Sequence, residues 1–162
     1  MTDHTFFTRI LTIFALLLVG LVTGCQTVDP EVAARQAAMR AAIQAETPGD
    51  YFVARRFYKN DYKVWGWVRE PRQPWSTAKL VMLNEQRTLA PDRAANRIGY
   101  DNNFEYTLRG GFSGEKIYEP ASNNFYPEFI LNSYDLRSTA PPLIFKERRS
   151  TQPEVRLLTP PV

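Results

Sequence analysis

The sequence predicts a mainly β fold, a small barrel of five or six strands preceded by an Ala-rich helix. Three observations lead there. Eight Tyr, ten Phe and three Trp in 162 residues favour strands, where large flat side chains pack well on a pleated surface. Beyond Tyr51 the apolar residues come in short runs broken by Pro, Asn, Gly and Ser, the punctuation of strands and turns. The chain length suits one domain with short appendages, whose core needs neither a disulfide nor a metal.

The first element lies upstream of that region. Residues 1–24 begin with a polar segment holding Arg9 and continue in ILTIFALLLVGLV, Ile10 to Val22. This run is too short for a spanning helix, which takes about 20 residues, and suits the core of an export signal. It leads into Val22-Thr23-Gly24-Cys25, which ends in the only cysteine of the chain. An exported chain with one thiol forms no internal disulfide, so the thiol is expected to have another use. These four residues resemble the lipobox of bacterial lipoproteins, an aliphatic residue and two small ones before an obligatory cysteine. The resemblance covers residues 1–26. It implies cleavage between Gly24 and Cys25, a diacylglyceryl group on the Cys25 sulfur and, in many bacteria, an acyl chain on the new amino group. It also implies the outer membrane, because Gln26 stands where an aspartate would favour the inner one. Two or three acyl chains hold a protein firmly where one holds it marginally. The alternative is an uncleaved signal anchor with an incidental cysteine.

The second element is a helix in DPEVAARQAAMRAAIQAETPGD, where Asp29 caps, Pro30 fits the first helical position and Thr47-Pro48-Gly49 stops it. Its apolar stripe, Val32, Met39 and Ile43 with alanines, is narrow. Residues 25–49 are therefore expected to be the lipidated Cys25 and a helical stalk.

A β domain follows over residues 50–137, with strands in YFVARRFY, YKVWGWVRE, STAKLVMLNE, NFEYTLRG, GEKIYEP and PEFILNSYDLR. Gly110-Gly111 and Ser113-Gly114 predict a tight reversal between the fourth and fifth, and PASNN another before the last. The long link QRTLAPDRAANRIGYDNN has room for one short helix around Asp92 to Asn96. This order resembles an OB-like barrel, with a two-sheet β-sandwich as the alternative. The analogy implies no function. Residues 138–162, with Pro141-Pro142, Pro153 and Pro160-Pro161, are expected to form a partly extended, mobile tail in which LIFKERR has the composition for an edge strand.

Charge and motifs narrow the function. A net charge of +3, from 20 basic and 17 acidic residues interspersed along the chain, is too mild to favour nucleic acid as a partner. The basic clusters, Arg55-Arg56 with Lys59 and Lys63, and Arg148-Arg149, are expected to be solvated. The only histidine, His4, lies in the signal and Cys25 goes to lipid, so the mature chain has no Ser-His-Asp or Cys-His chemistry and no His- or Cys-ligated metal. Ser76-Thr77-Ala78-Lys79 fits the Ser-x-x-Lys pattern of penicillin-recognising enzymes but lacks the companion Ser-Asp-Asn and Lys-Thr-Gly motifs. Glu105, Glu115, Glu119 and Glu128 are carboxylates of the kind a glycosidase pairs, with nothing to fix their spacing. Asp101-Asn102-Asn103 with Glu105 reads as a turn in preference to a calcium loop, and GGFSG as a hairpin turn. No cofactor is expected.

The aromatic residues Tyr51, Tyr62, Trp65, Trp67 and Trp75 remain as a candidate surface for a ligand or partner. With Gly66 between them, Trp65 and Trp67 are expected on one strand face and Val64 and Val68 on the other, the tryptophans forming either core or an outer stacking platform. The expected function is that of a lipid-anchored outer-membrane protein, facing the periplasm, whose non-catalytic β domain binds or scaffolds an envelope protein or a glycan. The alternative is a small carboxylate-dependent envelope hydrolase.

Overall fold

The computed structural model describes residues 29–156 and 158–162, so the signal, Gly24 and Cys25 lie outside the described residues. The chain divides into two units, residues 1–36 and 37–162, with the boundary inside helix α1 (Pro30–Gln44). In the first unit, the Asp29 carboxylate accepts a hydrogen bond from the Glu31 amide at 2.9 Å, and Glu31 and Arg35 form an exposed pair at 3.8 Å. The predicted cap is in place.

The second unit is a closed five-stranded barrel. Its strands are β1 (Phe52–Arg56), β2 (Gly66–Arg69), β3 (Lys79–Asn84), β4 (Glu105–Glu119) and β5 (Asn124–Ser138), and a short helix α2 (Pro91–Ala94) joins β3 to β4. They close in the order β1-β2-β3-β5-β4, antiparallel except where β3 runs parallel to β5. This is the mainly β, OB-like barrel after a helix that the sequence predicts; β1 and β2 are paired on both sides over most of their length, whereas β3 pairs on one side at a time, Lys79, Leu80 and Val81 with β2 and Met82, Leu83 and Asn84 with β5.

Alternation along β1 divides the apolar residues into two clusters. Phe52 and Ala54 face the barrel interior, with Trp65, Val68, Val81, Tyr106, Leu108, Phe129 and Leu131. Val53 and Phe57 face outward and join Val64, Trp67, Trp75 and Leu80 in an outer cluster. Two segments cover that outer cluster. Met39 and Ile43 come from the second half of α1, so from Ala37 onward this helix is part of the packed unit and not a free stalk. The other cover comes from the C-terminal segment. Ile144 is fully buried, Phe145 meets the Phe57 ring edge-on at 4.8 Å, and the amide of Asn60 donates to the Pro153 carbonyl. The segment holds one short 3-10 turn, Arg148–Thr151, and no strand in LIFKERR, yet its prolines do not prevent packing.

GGFSG does not reverse the chain. β4 is one strand of 15 residues, and the register against β5 shifts between Arg109 and Gly110 and between Phe112 and Lys116. The glycines serve bulges that bend a long strand around the barrel, since Gly110 has φ 145° and a Cβ there would lie 2.0 Å from the Ile130 carbonyl oxygen. The true turn is in PASNN, with Asn123 at φ 51° and its amide donating to the Pro120 carbonyl.

A separate bulge, in β2, sets the fate of the tryptophans. Gly66 pairs with both Arg56 and Val81, and the preceding Trp65 amide also donates to the Val81 carbonyl at 3.0 Å. Two residues thus oppose one, and the alternation slips. Trp65 turns into the barrel and Trp67 into the outer cluster, on opposite faces, contrary to the expectation of a shared face.

A Cβ at Gly66 would lie 2.1 Å from the Arg55 carbonyl oxygen, whereas one at Gly111 would meet nothing within 4 Å. Gly66→Ala is expected to lower stability by roughly 3 kcal/mol, the upper end of the usual cost of overpacking, and Gly111→Ala to change it by about 0.5 kcal/mol or less. Denaturant midpoints of the two variants check this. Glu46, just past α1, receives two hydrogen bonds from Arg69, at 2.7 and 2.8 Å. Burial opposes its carboxylate, but Arg69, the Arg72 amide and Arg137 outweigh burial and hold its pKa below the usual carboxylate value. A lowered folded-state pKa gives stability that is present above the unfolded value, about 4.3, and is lost as pH falls through the folded value. Glu46→Gln is expected to cost roughly 3 kcal/mol at neutral pH and to flatten the loss of stability below about pH 5. Urea titrations at stepped pH measure both.

Candidate binding site

Each basic residue of β1 meets a different set of acids, because neighbours on a strand face opposite ways. Arg55, 1% exposed, points outward, and its guanidinium donates to Glu105 at 2.9 Å and to the Pro142 carbonyl at 2.9 Å. Arg137 joins Glu105 to Glu46, and Glu46 holds Arg69. Trp75 lies between the guanidinium groups of Arg55 and Arg69, 5.4 and 4.6 Å from their carbons. These cation–π contacts fix an indole that the sequence offered as ligand-facing; it is 2% exposed and structural.

Arg56 continues the inward set and closes one end of the barrel. It donates to the carboxylate of Asp92 at 2.9 Å and to the Trp65 carbonyl at 2.6 Å, and its Nε lies 3.4 Å from Asp101. Burial works against the Asp92 carboxylate, but Arg56 and the amides of Gly99 and Arg93 outweigh it and lower its pKa. At Asp101, fully buried, burial wins over Arg56 and, with Asp92 nearby, raises the pKa; the Tyr106 hydroxyl donates to this residue at 3.3 Å. Asp101-Asn102-Asn103 is thus a turn pinned from within, with Asn102 accepting from the Tyr58 amide and Asn103 from Arg55. The basic cluster expected in solvent is largely interior. Lys59 is buried too, its ammonium donating to the Ser150 and Gln152 carbonyls at 2.6 and 2.8 Å, and burial lowers its pKa.

The remaining candidates scatter. Glu105 serves Arg55 and Arg137, Glu128 accepts from Asn84, and Glu115 is exposed. Glu119 is buried at the β4–β5 turn, where burial opposes its charge but bonds from Ser122, Ala121 and the Lys63 amide outweigh this and lower its pKa. The geometry assembles no carboxylate pair from these four. Ser76 and Thr77 stand in a short 3-10 turn, and the Lys79 ammonium sits 4.7 Å over the Phe112 ring. Among the described residues, no group of three His, Cys, Asp or Glu side chains is placed to hold a metal ion.

One sequence-predicted pair does come together. Tyr62 and Trp65 both border a cavity of about 370 Å³ at the barrel end that Arg56 closes. Val64, Met82, Leu83 and Ile98 give it apolar walls, and Tyr58 gives it an aromatic one. The wall is rigid at Tyr58, because Gly99, at φ 73°, lies so close that a Cβ would reach within 2.6 Å of the ring. Two acids also line it, each already paired, Asp92 with Arg56 and Glu85 with Arg93. Sequence reasoning missed Tyr58, Asn60 and Lys63 as partners of Tyr62 and Trp65, though all five fall within eight residues, in the one loop that joins β1 to β2.

The tryptophans themselves are core. Trp65, Trp67 and Trp75 are 3%, 9% and 2% exposed, so they do not make an outer stacking platform. Their emission is expected at short wavelength with weak acrylamide quenching, and Trp67→Ala is expected to cost roughly 3–5 kcal/mol. Red-shifted emission, or a Trp67→Ala melt like the parent's, would contradict this packing. Comparison with protein-family models, with curated proteins and with solved structures gave no match for this chain.

Proposed function

We propose that this is a lipid-anchored envelope protein whose barrel binds or scaffolds a periplasmic partner, a protein or a glycan, without catalysing a reaction. The observation that carries the reading is how the polar groups of the barrel are used. The strong acids and bases are consumed by one another: Arg55 with Glu105, Arg56 with Asp92 and Asp101, Arg69 with Glu46, Arg93 with Glu85. The cavity is bordered instead by the hydroxyl-bearing rings of Tyr58 and Tyr62, the amide of Asn60 and the exposed Lys63 against apolar walls, which is the composition of a recognition site. A hydrolytic reading would need two carboxylates free to trade protons, and the two that line the cavity are held by arginines.

Anchoring enters through Val22-Thr23-Gly24-Cys25 and its likeness to a lipobox. Attachment by acyl chains on Cys25 is the mode this reading assigns; among the described residues no helix is long and apolar enough to cross a membrane. Outer-membrane placement follows from Gln26 by the sorting rule of lipoproteins.

Cys25→Ser is expected to abolish incorporation of a fatty-acid probe and the cleavage that depends on it, since the chain has no other thiol. Retained label with cutting at the same place would overturn the anchor. With the lipidated protein as bait, mild crosslinking in membranes is expected to enrich a defined envelope component over a Cys25→Ser control.

A further inference from the structure

β3 changes partner halfway along its length, from β2 at Val81 to β5 at Met82. Alternation decides which main-chain groups each partner takes. The Val81 carbonyl accepts from the Trp65 amide, so Val81 turns its polar groups to the β2 side, and Leu83, two residues on, turns its N–H and C=O the same way. β5 agrees from the other direction. Pro127 has no N–H to give β4, so its pairing with Lys116 is of the non-hydrogen-bonded kind. Its carbonyl, and the polar groups of Phe129, therefore turn toward β3, where Met82 and Asn84 meet them. Leu83 is left out of both ladders. β2 begins at Gly66, opposite Val81, and no described residue bonds the Leu83 N–H or C=O on that side.

The cavity occupies that place, with Met82 and Leu83 on one wall and Tyr62, Lys63 and Val64, the residues that lead into β2, on another. Its rim is apolar at Ile98, which is 60% exposed. The charge there is one-sided. Glu85 and Asp92 at the cavity, and Asp61 beside it, are held by Arg93, Arg56 and Arg156, whereas Lys63 is exposed and has no acid of a described residue within ion-pair distance.

We propose that the open position at Leu83 takes a strand from a partner protein, an extended apolar segment whose main chain bonds the Leu83 N–H and C=O and which carries an acidic residue for Lys63. The inference rests on the binding-module reading above and names the class of partner as protein. The unused main-chain pair favours a peptide over a glycan, because the N–H and C=O of one strand residue match the C=O and N–H of a residue opposite it. The addition is short, since β3 ends at Asn84, so the apolar walls and Lys63 supply the selectivity.

The test uses the full chain in detergent, labelled with nitrogen-15, with Leu83→Ile identifying the Leu83 amide signal. Two acetylated peptide amides are titrated, Thr-Val-Asp-Val-Thr and Thr-Val-Lys-Val-Thr, together with the first peptide methylated on all its backbone nitrogens and with a neutral disaccharide. The acidic peptide is expected to shift the Leu83 amide with saturation and to slow its exchange with solvent at least tenfold. The lysine peptide is expected to bind at least tenfold more weakly, and the methylated peptide and the disaccharide not to bind. Lys63→Glu, at an exposed position, is expected to reverse the order of the two peptides. Equal binding of the methylated peptide would overturn strand addition, and an unchanged preference in Lys63→Glu would overturn the charge assignment. A shift by the disaccharide alone would overturn the protein partner, and no shift by any probe would overturn the site. If crosslinking in membranes then still enriches one envelope component over the Cys25→Ser control, the binding-module reading stands and the strand assignment alone falls.

Discussion

Closure of this barrel depends on how near the backbones of β1 and β2 come at Gly66. There a Cβ would stand 2.1 Å from a carbonyl oxygen of the neighbouring strand, a distance no side chain permits. The glycine admits the bulge, and the bulge turns two tryptophans separated by one residue to opposite faces. One fills the barrel and the other fills the cluster outside it. Without that slip both indoles would crowd a single layer and the other would lack its largest side chain. The burial of Trp65 in the barrel, with an indole N–H that has no hydrogen-bond partner, follows from the same contact.

Around this point the molecule spends its charge internally. Arg55 and Arg56 carry two networks outward and inward from one strand, the first tying α1 to the barrel through Glu46 and Arg69, the second closing the barrel end on Asp92 and Asp101. Buried ion pairs of this kind add little net stability over apolar packing, because desolvation offsets attraction; they do punish any arrangement that leaves one member alone. Their effect here is to hold the loop of residues 57–65 and the segment around α2 in one relative position, and those are the walls of the cavity.

The barrel was legible because strand periodicity, turn residues and a long central link are local signals, and each strand begins or ends within a few residues of its apolar run. Two things were not. Gly110-Gly111 and Ser113-Gly114 carry the composition of a tight turn, yet bulges draw on the same residues, and only the partner strand decides between them. Arg55, Arg56 and Lys59 look like a solvated patch because their acceptors, Glu105, Asp92, Asp101 and the Ser150 carbonyl, lie 36 to 91 residues away. Local sequence contains no mark of such pairings. The site was half legible: aromatic content drew attention to Tyr62 and Trp65, and the Gly between Trp65 and Trp67 was the available sign that alternation would slip. The C-terminal segment misled for a similar reason, since proline forbids regular structure without forbidding burial.

The burial of that last segment has a consequence for how the molecule comes into being. The outer cluster joins Ile43 to Phe145 and Leu158, so the residues that complete it are separated by most of the folded unit. The barrel closes through β1 and β4, whose paired residues are also distant in the chain. Contacts of such long sequence separation are slow to form, because loop entropy must be lost before the contact returns anything. A chain emerging from a ribosome, amino end first, therefore holds the outer side of β1, β2 and the indole of Trp67 incompletely covered until residues 144–158 arrive. Until Ile144, Phe145 and Leu158 arrive, it presents the apolar face that those residues will later conceal.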